Sequence, residues 1–528
     1  MRGFLKKAFT TVYSVFPVFN RPMAVCAVMS IIAVLYLNSH KNVLLSLLLL
    51  FVIVSAVICF VRRTGKAVVI SLLFLAVCAS AVNEFYRINE LNRLDGQTVE
   101  AVFVAAEDTK STEKVSKVTV YATGKGALPA NTKLKLYWFD GTSVSCGDKF
   151  KAAVKLSSLK DSEYKNYNYG NAVYIDSRLI KIRESYKPNG FFLKIGEVRS
   201  YIVKTLNNRF SEDDSSVLIA LNSGDRSFLS DTFYGKVLTC GVSHVMVVSG
   251  LHISIILGLL YRFIEKFFYN SYLKALSSIG ILFLIAAMCG FSQSASRACL
   301  MFLFFVLAPV FMRQNDPLNS LGAAVILMVF IHPFCIFSVA FLLSVVSTAA
   351  VVWIAPFYSE LITTKLRLKK RFAVTLIEIF TVSLSAMIFT APISMLVFDR
   401  ISFLAPFTFL LVTFPVTFAL EFNTLALVLS AIPGIKPLSE PLFFVSGICT
   451  KYIRFVIREL GSFRFMYVKP GFGMFFVSLF LIFATVSGMY LYKFYRKLAR
   501  MNDLKEVRQR GGNSERGFAE KKPARRAD

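Results

Sequence analysis

The sequence predicts a polytopic α-helical membrane protein of about 11 spans with a small extracytoplasmic β-barrel inserted near its start. Three observations carry this. Hydrophobic residues make up 55% of the 528-residue chain and charged residues only 17%, against about 45–50% and about 25% in soluble domains. The apolar residues gather in windows of roughly 15–25 with almost no charge, long enough to cross a ~30 Å hydrocarbon layer as helices. One stretch, 87–190, instead alternates with period two.

The first segment, 1–86, reads as three spans near 23–37, 43–61 and 67–85. Arg2, Lys6 and Lys7 make a basic amphipathic start rather than a cleavable leader. The short loop Arg62-Arg63-Thr64-Gly65-Lys66 is basic, and short basic loops stay in the cytoplasm. The N-terminus then lies on the same side, and the chain emerges outside at about residue 86.

The 87–190 segment carries five alternating runs at about 97–106, 115–123, 132–139, 148–156 and 172–183, separated by turn residues. Five short strands in so few residues suit a small closed barrel, OB-fold-like in type. Leu134 and Leu136 face one way and Lys133 and Lys135 the other, and Lys149 and Lys151 likewise oppose Phe150 and Ala152. From Arg93 to Lys187 there are 16 basic and 11 acidic residues. Lys133, Lys135, Tyr137, Lys149 and Lys151 can meet single-stranded nucleic acid by phosphate contact and base stacking. The same pattern also fits a merely soluble barrel whose lysines snorkel, and the residues alone leave both readings open.

Residues 191–235 read as amphipathic interfacial helices, with Phe192, Ile195, Val198, Ile202 and Leu206 at helical spacing. A polytopic domain, 236–492, follows, with spans near 237–261, 273–290, 298–312, 319–356, 372–398, 403–432, 441–459 and 470–492. His332-Pro333 breaks the long 319–356 stretch. Lys365 to Arg371 forms the strongest basic loop. The tail, 493–528, has 12 basic and 5 acidic residues and reads as a disordered cytoplasmic extension. Loop asymmetry accounts for most of the formal net charge of +28, and the remainder suits a polyanionic ligand. All nine cysteines but Cys146 lie in apolar helical stretches with no C-x-x-C pair, so neither a metal site nor a disulfide framework is expected.

Polar residues at membrane depth mark the candidate site. The run Cys240 to Ile253 holds Ser243, His244, Ser249, Gly250 and His252 within otherwise apolar helix. Ser249 beside a histidine can be read as an intramembrane serine hydrolase, but no second-helix glycine-histidine motif supplies the base. Two histidines eight apart, with no H-E-x-x-H, make a weak metal site. A polar lining or hinge in a wet conduit needs only donors, acceptors and a helix break at Gly250. This third reading is preferred. Arg297, beside Ser292, Gln293, Ser294 and Ser296, reads as an interfacial snorkeller or as an anion contact on a permeation path. Asp225-Arg226 reads as a local ion pair capping a helix.

These residues resemble those of ComEC-type competence proteins. The run LIALNSGDRSFLSDTFYGKVLTCGVSHVMVVSGLHISII (218–256) resembles the family's G-D-R-S segment and G-x-S-H…S-G-L-H helix. GFSQSASRACLMF (290–302) and the block at 315–345, with its F-x-L-S step at Phe341 to Ser344, resemble further family elements. The resemblance implies a channel that passes one strand of incoming DNA across the bacterial cytoplasmic membrane during natural transformation. It carries Asp225, Arg226, Ser243, His244, Ser249, Gly250, His252 and Arg297 as motif positions of the channel. It also implies partners: a DNA receptor, a cytoplasmic ATP-driven motor, and possible homo-oligomers. Many members carry a C-terminal metallo-β-lactamase-like domain, whereas this chain has no histidine after His332. A nuclease, if needed, is then a separate polypeptide. No enzyme activity, catalytic residue, metal or cofactor is expected. A small-solute or lipid transporter is the other alternative, though it has no evident need of a basic, aromatic barrel.

The topology is testable by cysteine labelling. A cysteine at Ser111 should react with an impermeant reagent in intact cells. Reaction only after lysis would invert the arrangement.

Overall fold

The computed structural model describes residues 22–39, 66–111, 115–139, 143–159, 162, 164–186, 191–224, 228–243, 250–398, 401–463, 467–468 and 471–519. Two helices open it, α1 (Pro22–Ser39) and α2 (Lys66–Asn92). The span expected at 43–61 lies outside the described residues. α2 continues past the apolar stretch, and its last turns enter the barrel, where Ile88 and Leu91 are buried in the barrel core. Asn92 Oδ1 accepts from Ser158 Oγ at 2.9 Å and Asp95 Oδ1 from the Ser158 amide at 2.7 Å.

The barrel strands are β1 (Thr98–Ala105), β2 (Ser116–Gly126), β3 (Lys133–Trp138), β4 (Lys149–Ser158) and β5 (Ile175–Tyr186), with a short helix α3 (Lys165–Gly170) between the last two. Neighbours run β1-β4-β5-β3-β2, and β2 pairs back onto β1, so the sheet closes. Closure removes the exposed edges that a small sheet would otherwise present. All pairings among these strands are antiparallel except β3 with β5, where Leu136 stands opposite Ser177. The expected alternation is present on β3: Leu134, Leu136 and Trp138 are buried while Lys133, Lys135 and Tyr137 point outward and are half-buried. The helix at 165–170 was not expected. Its Asn- and Tyr-rich sequence carries no helical apolar stripe.

The remaining helices are α4 (Phe191–Asn207), α5 (Glu212–Ser223), α6 (Asp231–Thr239), α7 (Gly250–Phe267), α8 (Ser271–Met288), α9 (Gln293–Val310), α10 (Pro317–Ile331), α11 (Val339–Trp353), α12 (Ala355–Lys365), α13 (Arg371–Phe398), α14 (Ala405–Ser430), α15 (Glu440–Leu460) and α16 (Phe472–Ala519). Among the described residues six helical stretches are long and apolar enough to cross a membrane: α8, α9, α11 with α12, α13, α14 and the Gly473–Arg496 part of α16. A shorter apolar helix, α10, packs with α1, α2 and α11 around Phe74, Val77, Val325 and Phe341. Gly322 allows this, because a Cβ there would strike the Met23–Ala24 backbone.

Several expectations change. The span expected at 237–261 is not one helix. α6 ends at Thr239, Gly241 takes φ +71°, and α7 starts at Gly250. The span expected at 441–459 is α15, whose Lys451, Arg454, Arg458 and Glu459 set it apart from the six apolar stretches. Within 191–235, α5 keeps its charges to its first turn, and beyond it Val217, Leu218, Ile219, Ala220 and Leu221 are all fully buried between α4, α14 and α15. The tail is helical as far as Ala519 rather than irregular, in keeping with the helix propensity of its Lys, Arg, Glu and Leu. At His332-Pro333 the chain does break, through a 3-10 turn at Pro333–Phe337 that separates α10 from α11.

Candidate functional site

The outward residues of the barrel do not form one surface. Lys133, Lys135 and Tyr137 lie on β3, Lys149 and Lys151 on β4, and β5 runs between the two strands. On the β4 sector Lys151 Nζ stands 3.8 Å from Glu100, and Arg183 takes the other oxygen of that carboxylate at 2.7 Å. This sector is therefore partly neutralised. The β3 sector is joined by β2, which sets Lys117 opposite Tyr137, Thr119 opposite Lys135 and Tyr121 opposite Lys133. Lys135 Nζ donates to Asn168 Oδ1 at 3.3 Å and lies 5.3 Å from the Tyr167 ring centre, within cation–π reach. Burial lowers the pKa of both Lys133 and Lys135, and each is lowered further by a neighbouring lysine, Lys135 for the first and Lys117 for the second, against a weaker opposing pull from Glu107 on both and Asp176 on Lys135. Crowded ammonium groups of this kind gain from an added anion. Lys117 was missed from sequence, although its outward place in the 115–123 alternation was a usable signal.

The basic face leads toward the helices. Tyr121 stacks on Phe192 at the start of α4, with ring centres 5.8 Å apart. At the joint, Gly170 meets the turn between α10 and α11, where an added Cβ would lie 2.5 Å from the Ser338 nitrogen. Tyr169 and Tyr174 pack edge-on against Phe334, and the Tyr174 hydroxyl lies 3.0 Å from His332 Nδ1. Gln293, the first residue of α9, donates from Nε2 to the Gly170 carbonyl at 3.3 Å. Between α8 and α9 the chain turns through Gly290 and Phe291, both at positive φ. Arg199 of α4 seals the end of α8 there, donating from Nε and Nη2 to the Met288 carbonyl at 3.1 and 2.5 Å.

One turn into α9 lies Arg297, 7% exposed. Its Nε donates to Ser344 Oγ at 2.7 Å, and Nη1 lies 3.3 Å from Met301 Sδ. Among the described residues it forms no ion pair. A guanidinium carries five donors, so most of its capacity for an anion is unspent. This packing joins the Gly-Phe…Arg run to the F-x-L-S step, two stretches linked in the sequence only by resemblance.

The 240–253 motif is seen in part. Cys240 and Val242 are fully buried, and Gly241 packs so closely on Ser402 and Ala405 that a Cβ would come within 2.8 Å of either side chain. Ser402 Oγ donates to the Thr239 carbonyl at 2.6 Å. Ser243 is half-buried, Gly250 begins α7, and His252 is fully buried. His244 and Ser249 lie outside the described residues, as do Asp225 and Arg226. Flanking the latter pair, Gly224 ends α5 in the left-handed conformation and Ser230 caps α6. Among the described residues no three His, Cys, Asp or Glu side chains cluster as metal ligands.

A second polar cluster was not foreseen. Arg454 of α15 pairs with Asp213 and Asp214 at the start of α5, and Arg458 reaches Asp213 at 2.9 Å. Ser211 caps this helix and donates to Asp214 at 2.9 Å. These charges are matched among themselves and close the α5–α15 contact.

The competence protein family model, described as "Competence protein", matches residues 221–494, more than half of the chain. ComE operon protein 3 of Bacillus subtilis is 22% identical over 253 residues, covering 48% of this chain and 31% of the relative. Recombination protein 2 of Haemophilus influenzae is 27% identical over 163 residues, covering 29% of this chain and 21% of the relative. In both cases the match spans less than a third of the relative's own length. No solved structure matches the chain.

The joint carries a pH dependence. Burial holds the His332 imidazole down at about 4, whereas the unfolded chain takes up that proton near 6.5. Between these values the unfolded state binds more protons, so stability falls as pH drops from about 6.5 toward 4. The melting temperature of the full chain in detergent should fall across this window, and His332→Gln should flatten that fall. Parallel slopes for both proteins would remove His332 as its cause.

Proposed function

This chain belongs to the competence protein family, of ComEC type, and from that premise we propose that it conducts single-stranded DNA across the bacterial cytoplasmic membrane in natural transformation. The observation that carries the reading is Arg297, a buried guanidinium held, among the described residues, by a hydroxyl and a thioether, one turn below the barrel's docking point. A cation at that depth is expensive unless it serves a permeant or a partner. A passing phosphate supplies what the protein withholds. The β2–β3 face, with Lys117, Lys133, Lys135 and Tyr137, approaches the same joint and is the first surface a strand would meet. We read the barrel as OB-fold-like and extracytoplasmic, and the termini as cytoplasmic. A DNA receptor, an ATP-driven motor and a separate nuclease act with it in this reading, and about 11 spans complete the membrane domain.

Two experiments test it. Transformation frequency at matched membrane expression should survive in part in Arg297→Lys and vanish in Arg297→Glu, because charge at this point matters more than hydrogen-bond detail. Normal uptake with Arg297→Glu, together with total loss in Ser249→Ala, would favour the hydrolase instead.

Binding of a thymidine oligonucleotide to the full chain should weaken with salt. Lys117→Gln with Lys135→Gln should reduce the logarithmic slope by about 1.4, or about 0.7 per phosphate contact. Lys149→Gln with Lys151→Gln should change it less. Equal effects of the two pairs would deny the β2–β3 face a special part.

A further inference from the structure

Helix α15 buries Phe443, Gly447, Ile453 and Ile457 against α5 and α14. Its other face is exposed along its whole length and changes in kind from one end to the other. Phe444, Val445 and Ile448 come first, exposed at 70%, 37% and 54%. Lys451, Tyr452, Phe455 and Arg458 follow. An exposed aliphatic and aromatic stripe is at ease in hydrocarbon, and Tyr, Lys and Arg at one end of such a stripe suit headgroup depth. Beside the stripe opens a cavity of about 880 Å³, lined by Arg209, Phe210, Lys451, Arg454, Phe455 and Arg458 among others.

The charges in this cavity are unevenly matched: Arg209, Lys451, Arg454 and Arg458 face the carboxylates of Asp214, Glu440 and Glu459, an excess of one positive charge. Arg209 pairs with Glu440 at 2.6 Å, and Arg454 is held by Asp213 and Asp214. Lys451 forms no ion pair among the described residues. Arg458, seven residues and two turns along the same face, keeps a side chain 52% exposed while touching Asp213. We propose that this face of α15 seats a membrane glycerophospholipid, its phosphodiester between Lys451 and Arg458 and its acyl chains along Phe444, Ile448 and Phe455. A DNA strand offers the same phosphodiester. Its bases can stack on Phe444, Tyr452 or Phe455, but their polar edges gain nothing from Val445 and Ile448, whereas acyl chains take aliphatic and aromatic side chains alike. The inference does not depend on the transport reading.

The test uses the full-length protein, delipidated in detergent and titrated with phosphatidylglycerol, with bound lipid counted by native mass spectrometry. Phosphatidylglycerol should be retained and diacylglycerol, which lacks the phosphate, should not. Lys451→Gln should weaken binding about fivefold, and Lys451→Arg should restore it. Equal retention of diacylglycerol, or no effect of Lys451→Gln, would overturn the proposal. Displacement of the lipid by inorganic phosphate would make this a free-anion site, and displacement by a thymidine oligonucleotide a nucleic-acid site. Either result would also overturn it.

Discussion

Close backbone approach at Gly170 fixes where the barrel stands on the helices, and the geometry of the candidate site follows from it. The turn it meets cannot yield, because Cys335 and Ile336 are buried among the helices below and Phe334 is buried in the barrel core above. Gln293 and His332 reach the same point from α9 and the end of α10. Segments far apart in sequence are thereby held in one register. That register turns the β2–β3 face toward the bundle and leaves Arg297 one turn beneath.

Local rules made much of this legible. Alternation placed Leu134 and Leu136 inside and Lys133 and Lys135 outside, because a strand's side-chain period is two. A proline cannot continue a helix, and the chain does break at His332-Pro333. What sequence could not supply was neighbourhood. Lys133 and Lys149 share an outward direction, yet closure order sets them on different sectors, and Glu100 reaches Lys151 on the second of these. α5 lies in the stretch read as amphipathic and begins Glu212-Asp213-Asp214, but two of those carboxylates are spent on arginines of α15 more than 200 positions away. The break after Thr239 was half visible. Gly250 pointed to it, while the left-handed turn at Gly241 depends on its fit against Ser402 and Ala405 and leaves no local mark.

The bundle treats its buried cations in two ways. Arg454 is matched by two carboxylates and a capped helix start, the arrangement expected where a buried charge must be neutralised to be tolerated. Arg297 is given a hydroxyl and a sulfur. The first serves packing between α5 and α15. The second keeps a cation available within the helices, at a cost in folding stability.

α2 runs unbroken for 27 residues from Lys66 to Asn92, about 40 Å at the rise of an α-helix, and its far end is embedded in the barrel floor. A stiff rod seated at both ends makes a lever. A sideways load on the barrel is carried down the shaft as torque against α1 and α10, without slack to absorb it. Handling of the barrel is thus felt mechanically among the helices, before any ligand has moved that far.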